Sequence, residues 1–195
     1  MTAEPRPQDR SRDRSATATD PDLADVRASQ RDRQAFAPLY RRYVERVYGY
    51  AFYLLGDHHD AEDATERTFL AALGAIDGFR DEGASFRAWL FRIAHNTIAN
   101  ALRTRSRRPT TDIEGVRVPE AAHADPSSLV DDAEEHRRLR AALAALPDER
   151  RQVVLLRFVD ELTAREIGVV LGRSEGAARV LLHRALRDLA ARLDA

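Results

Sequence analysis

Arg92, Asn96, Asn100, Arg103 and Arg107 stand four, four, three and four residues apart, a spacing that lays them along one face of an α-helix for about four turns. Arginine neutralises phosphate, and an asparagine amide can pair with adenine or with the edge of an unstacked base. No acid interrupts this stripe, whereas a solvated helix face in a chain of balanced charge ordinarily mixes signs. Its chemistry is therefore that of nucleic-acid contact, with docking of an acidic partner as the rival reading. A second set, Arg173, Ser174, Glu175, Arg179, His183 and Arg184, gathers where a helix would emerge from a tight turn. The first turn of such a helix can enter the major groove, where arginine grips phosphate or reads guanine bidentately. The bland alternative for this set is a solvated helical hairpin.

The second set is positioned by ELTAREIGVVLGRSEGAARVLLHRALRDL, residues 161 to 189. Thr163 precedes Glu166 by three, so hydroxyl and carboxylate can reciprocally satisfy amides at a helix start. Ile167, Val170 and Leu171 supply a buried face, Gly168 is small enough for a close crossing, and Gly172 suits a left-handed stop. Ser174 is a good N-cap for the next helix, from Glu175 to about Arg192, whose inward stripe is Ala178, Leu182, Ala185 and Leu189. Two helices so closely joined pack at a steep angle, as in a helix-turn-helix.

The first set needs a longer scaffold. From Gln34 to Leu55, the residues Phe36, Leu39, Tyr43, Val47, Ala51 and Leu54 step by three and four, and Gly56 ends the helix. Asp57 can cap a second helix to about Ile76, with Ala61, Thr65, Thr68, Phe69, Ala72 and Ile76 inward and Glu62, Asp63, Glu66 and Arg67 outward. After the loop DGFRDEGAS, Ser85 can cap a third helix that buries Phe86, Trp89, Leu90, Ile93, Thr97, Ala101 and Leu102. A helix from Ala133 to Leu146, and another opened by Pro147 with Val153, Val154, Leu156 and Phe158, complete the pattern.

The expected fold is all-α, with two small helical domains joined by a flexible acidic linker and a C-terminal helix-turn-helix. Residues 1–25 read as a disordered tail, 26–108 as the first domain, 109–132 as the linker and 133–195 as the second domain. The net charge of -1 hides segregation: residues 57–85 carry eight acids and two arginines, and residues 86–111 carry six arginines and no acid. Residues 112–135 hold eight acids against one arginine, and residues 136–195 hold twelve arginines against eight acids. Such blocks suggest separate partners, or neutralisation of one block by its neighbour. All 31 basic residues are arginine and cysteine is absent, which excludes disulfides, thiolate metal sites and a cysteine nucleophile. His58 and His59 beside Asp57 and Asp60 read as solvated rather than as a metal site, and no cofactor or catalytic set is expected. With no leader and no membrane-length apolar run, the expected location is cytoplasmic.

Four segments in order, FAPLYRRYVERVYGYAFYLLGD, DAEDATERTFLAAL, FRAWLFRIAHNTIANALRTRSRR and LAALPDERRQVVLLRFVDELTAREIGVVLGRS, resemble bacterial sigma factors of the sigma-70 family. More narrowly, they resemble its compact extracytoplasmic-function group. The resemblance spans about Phe36 to Arg108 and Leu139 to Leu189. It implies a first domain like sigma region 2, which binds the clamp of core RNA polymerase and the melted -10 element. The second domain would then resemble region 4, which reads the duplex -35 element. Asp60, Glu62, Asp63, Glu66 and Arg67 would meet a coiled coil on the polymerase largest subunit. Phe79, Ser85 and Asn96 would form a pocket for an extruded base, beside Arg92, Asn100, Arg103 and Arg107. Promoter DNA and core polymerase are the implied partners, with an anti-sigma factor as a further candidate and no membrane. Relatives usually place a glutamine and an acid where this chain has Glu66 and Arg67. Many have a polar pair at Val180 and Leu181, which shifts the expected base contacts to Arg179 and Arg184. The alternative is a free-standing regulator, since LTAREIGVVLGRS also resembles the helix-turn-helix of response regulators. A free regulator, however, has no need of the Trp89 helix's second nucleic-acid surface.

Overall fold

A computed structural model describes residues 20–81, 83–107, 131–158 and 161–193. The elements are α1 (Leu23–Arg31), α2 (Ala37–Leu55), α3 (His58–Ala75), α4 (Phe86–Arg107), α5 (Asp131–Ala144), α6 (Asp148–Phe158), α7 (Ala164–Leu171) and α8 (Glu175–Leu193). Short 3-10 turns at Arg33–Phe36 and Ile76–Gly78 join α1 to α2 and extend α3. No strand occurs among the described residues, and the all-helical expectation holds. Most of the expected tail, residues 1–19, the last residue of the expected first domain, Arg108, and nearly all of the expected linker, residues 109–130, lie outside the described residues.

Local signals set most boundaries. Gly56 stops α2 in the left-handed conformation at φ 73°, and the Asp57 side chain accepts from the Asp60 amide to start α3. Ser85 caps α4, its hydroxyl accepting from the Ala88 amide at 3.2 Å. Between α7 and α8, the Thr163–Glu166 capping box, left-handed Gly172 and the Ser174 cap on Ala177 are all formed. Gly168 has a specific steric role. A Cβ there would lie 2.7 Å from the Arg173 carbonyl oxygen, so only hydrogen at this position lets the turn fold back this closely.

The first domain packs α2 on α3 and both on α4 around Leu39, Tyr43, Val47, Tyr50, Phe69, Ile76, Phe86 and Leu90. The second packs α6, α7 and α8 around Val153, Leu156, Leu162, Ile167 and Ala185. The two cores are continuous, because α7 lies directly on α4. This contact alters which residues of α4 are buried. The deepest positions are Phe86, Ala88, Leu90, Phe91, Ala94 and Ile98, while the expected Trp89, Ile93, Thr97, Ala101 and Leu102 are only partly buried. Covered by α2 and α3 on one side and by α7 on the other, α4 needs a wider apolar arc centred on Phe91 and Ala94.

Helix α1 also departs from expectation, because it begins at Leu23, inside the stretch 1–25 read as a tail. Leu23 and Val26 enter the core, and Asp22, 1% exposed, accepts hydrogen bonds from the Tyr43 hydroxyl and the Arg42 guanidinium. Arg42 also donates to Asp25 at 2.8 Å. A buried carboxylate needs such partners. Burial first, then the hydrogen bond to anionic Asp22, raises the Tyr43 pKa and keeps the phenol protonated.

Candidate nucleic-acid interface

The stripe on α4 is accessible. Arg92, Asn96, Asn100 and Arg103 are all exposed, on the side of the helix away from the buried Ala94 and Ile98. Arg103 donates to the Asn100 side-chain oxygen, which holds the two as a unit. Arg107 ends the helix, and its side chain lies outside the described residues. His95, next to the stripe, is half-buried with Nδ1 3.3 Å from the Tyr50 hydroxyl. Burial lowers its pKa, so the positive charge of this face comes from arginine.

Two expected members of this site stand apart from the open face. Phe79 is only 5% exposed, set edge-on to Phe86 and Trp89 with ring centroids 5.9 and 5.4 Å away. It is a core residue here rather than an exposed stacking surface. The reason is that the turn after α3 must be pinned: the Gln30 amide donates to the carbonyls of Ile76 at 3.0 Å and Phe79 at 3.2 Å. Ser85 is occupied by the second domain, its hydroxyl donating to Glu166 at 2.5 Å.

That last contact belongs to a junction between the domains that the periodicity of neither helix announces. The Arg87 guanidinium donates to both oxygens of Glu166, at 2.8 and 3.0 Å, with side-chain exposures of 25% and 13%. One carboxylate thus caps α7 through the Thr163 amide, 2.8 Å away, and also ties α7 to α4. Burial works to raise the Glu166 pKa. The Ser85 hydroxyl, the Thr163 amide and the Arg87 charge outweigh it and hold the carboxyl below its ordinary value.

The acids of α3 do not share one face. Glu62 and Glu66 border a groove of about 700 Å³ between α2 and α3, floored by Phe36, Val44, Phe69 and Leu73. Tyr40 and Leu70 form its exposed lip, Leu70 being 60% exposed. Asp60, Asp63 and Arg67 turn instead toward α4, lining a second depression with Asn100 and Arg105. Arg105 approaches Asp60 at 3.7 Å, and Arg67 approaches Asp63 at 3.4 Å. The helical period separates the two sets, since positions 62 and 66 lie on one side of the outer surface and 60, 63 and 67 on the other.

On α7 and α8, Arg173, Ser174, Glu175, Arg179, His183 and Arg184 are all exposed. Arg173 pairs with Glu149 of α6, and Arg179 pairs with Glu175 one turn earlier at 2.6 Å. Such exposed pairs are worth at most about 1 kcal/mol and can be exchanged for phosphate. Among the described residues, no group of three histidines or acids is placed to hold a metal ion. His58 faces the Tyr48 hydroxyl at 2.5 Å and packs on Phe52. No helix among the described residues is long and apolar enough to cross a membrane.

Sequence reasoning missed Arg87 and the lip residues Tyr40 and Leu70. Leu70 was visible as a large apolar residue off the buried stripe of α3. Nothing local distinguished Arg87, whose partner is 79 residues away.

Residues 39–108 match the model of sigma-70 region 2 and residues 136–189 that of sigma-70 region 4. The chain is 35% identical over 165 residues to the extracytoplasmic-function (ECF) RNA polymerase sigma factor BldN of Streptomyces coelicolor, covering 84% of this chain but 62% of that protein. It is 31% identical to the ECF sigma factor SigW of Bacillus subtilis, with 81% of this chain and 92% of that one aligned. Among solved structures, CnrH in complex with the cytosolic domain of CnrY superposes with a TM-score of 0.67 at 26% identity, over 89% of this chain and 97% of that one. Two helical units in the same order, each matching its own sigma region, therefore place the chain in the ECF group of the sigma-70 family.

Proposed function

We propose that this chain is a promoter-specificity subunit that joins core RNA polymerase reversibly in the cytoplasm and directs initiation at a defined set of promoters. The observation that carries the reading is the pair of exposed basic faces on one chain. Arg92, Asn96, Asn100 and Arg103 on α4 suit unpaired bases and phosphates of a melted -10 element. Arg173, Arg179, His183 and Arg184 suit the major groove of a -35 duplex. The apolar groove bordered by Glu62 and Glu66 supports docking of a basic amphipathic helix, the chemistry expected of a polymerase clamp element. Asp60 and Asp63, on the other side of α3, extend the acidic surface toward α4. No chemical step falls to this chain; it contributes binding energy and register.

CnrH is solved with another protein, the cytosolic domain of CnrY, which supports a further protein partner for this chain, an anti-sigma factor being the class the reading favours. A free-standing regulator accounts for α7 and α8 but leaves the α4 stripe without purpose. Run-off transcription by core polymerase, with and without the chain, on a broad promoter library tests the proposal. Specific stimulation on a subset of templates is expected, and its absence on every template would overturn the reading.

A further inference from the structure

The middle of the outward face of α8 is apolar. Val180 is 52% exposed, on the side of the helix opposite the buried Ala178, Ala185 and Leu189. One turn earlier, Gly176 and Ala177 are also exposed, and nothing lies within 4 Å of the place a Gly176 Cβ would take. Its neighbour Leu181 is packed against the core, so the two residues of this apolar pair have separate roles and only Val180 lacks a packing explanation. Arg179 and Arg184 flank it, with His183 one turn further on, all exposed.

We propose that Val180 is a base-reading residue whose isopropyl group contacts the C5-methyl of a thymine in the -35 duplex. This rests on the reading that α8 enters the major groove. Thymine alone presents a methyl there, and an apolar side chain is its natural complement. Gly176, Ala177 and Val180 make a low surface, so the helix axis can approach the groove floor closely while the longer arginines on either side reach the phosphates. At this position a polar residue would select a base by hydrogen bonding. Val180 instead selects a methyl and accepts no donor or acceptor in its place.

The test uses reconstituted holoenzyme on a promoter selected by that holoenzyme from a random library. Each thymine of the -35 element is replaced singly by deoxyuridine, which removes only the methyl, and relative affinity is read by competition. One position is expected to lose about fourfold in affinity with the unmodified protein, the scale of burying a single methyl group. The same replacement is expected to have almost no effect on Val180→Ala holoenzyme. Val180→Thr, which keeps the shape and one methyl, is expected to retain part of the sensitivity. Equal sensitivity in Val180→Ala, or no sensitive thymine at all, overturns the assignment and leaves the patch to a protein partner. Indifference of the unmodified holoenzyme to the whole -35 sequence would overturn the promoter reading itself, and this proposal with it.

Discussion

Removal of the Arg87 guanidinium should loosen the two domains from one another without unfolding either. The pair it forms with Glu166 has two bonds of 2.8 and 3.0 Å, and neither side chain is more than a quarter exposed. Charge-assisted bonds in such a setting contribute about 2 kcal/mol, or about a 30-fold change in the ratio of docked to undocked domains. Arg87→Ala deletes the pair from the α4 side. From the α7 side Glu166→Gln is preferable to alanine, because glutamine can still reach the Thr163 amide in a capping box. The chain has no cysteine, so Ala75→Cys and Ala190→Cys, both at exposed positions, give two unique labelling sites. Interdomain energy transfer should be lower in each variant, while the helical circular dichroism signal stays unchanged. The double variant should open less than the sum of the two single variants, since the bond between the two side chains is already lost in each. Unchanged transfer in Arg87→Ala, or strictly additive effects, would refute the assignment of this pair as a tie between the domains.

Acidification should release the same junction. The Glu166 pKa is depressed below 4.5 in the docked state, so its contribution is complete above that ordinary value. It is lost as pH falls through the lowered one, and energy transfer should drop there but stay flat from pH 7 to 5. Asp22→Ala should lower stability by about 2 kcal/mol, because it leaves the Tyr43 hydroxyl without an acceptor and detaches α1; thermal unfolding reads the shift. Gly168→Ala should destabilise the helix-turn-helix by about 1–3 kcal/mol through the 2.7 Å clash with the Arg173 carbonyl. That overrides the gain of about 1 kcal/mol in helix propensity, and an unchanged or higher melting temperature would contradict the steric account.

Capping and periodicity made most of this architecture legible. Asp57, Ser85, Thr163, Gly172 and Ser174 each act locally, within four residues, and each sits where its chemistry requires. The exposed stripe on α4 was legible for the same reason, since a run of arginine and asparagine at helical spacing has one face to occupy. The buried side of that helix was less so, because α4 packs against α2, α3 and also α7, an element more than fifty residues away in the chain, and its deepest positions include Phe91, Ala94 and Ile98. The burial of Phe79 was not legible, because an aromatic residue in a loop can face a ligand or a core equally, and its packing on Phe86 and Trp89 shows only in three dimensions. Val180 was discounted for lacking hydrogen-bonding groups, although its exposure is what makes an apolar contact available.

The central claim, that α4 and α8 engage separate promoter elements, is tested most directly by holoenzyme affinity on four templates: intact, -10 scrambled, -35 scrambled and both. Arg179→Ala holoenzyme should lose discrimination against the -35 scramble and keep it against the -10 scramble. Asn96→Ala should do the reverse. If either variant loses both discriminations to the same extent, the two faces do not divide the promoter between them and the account fails.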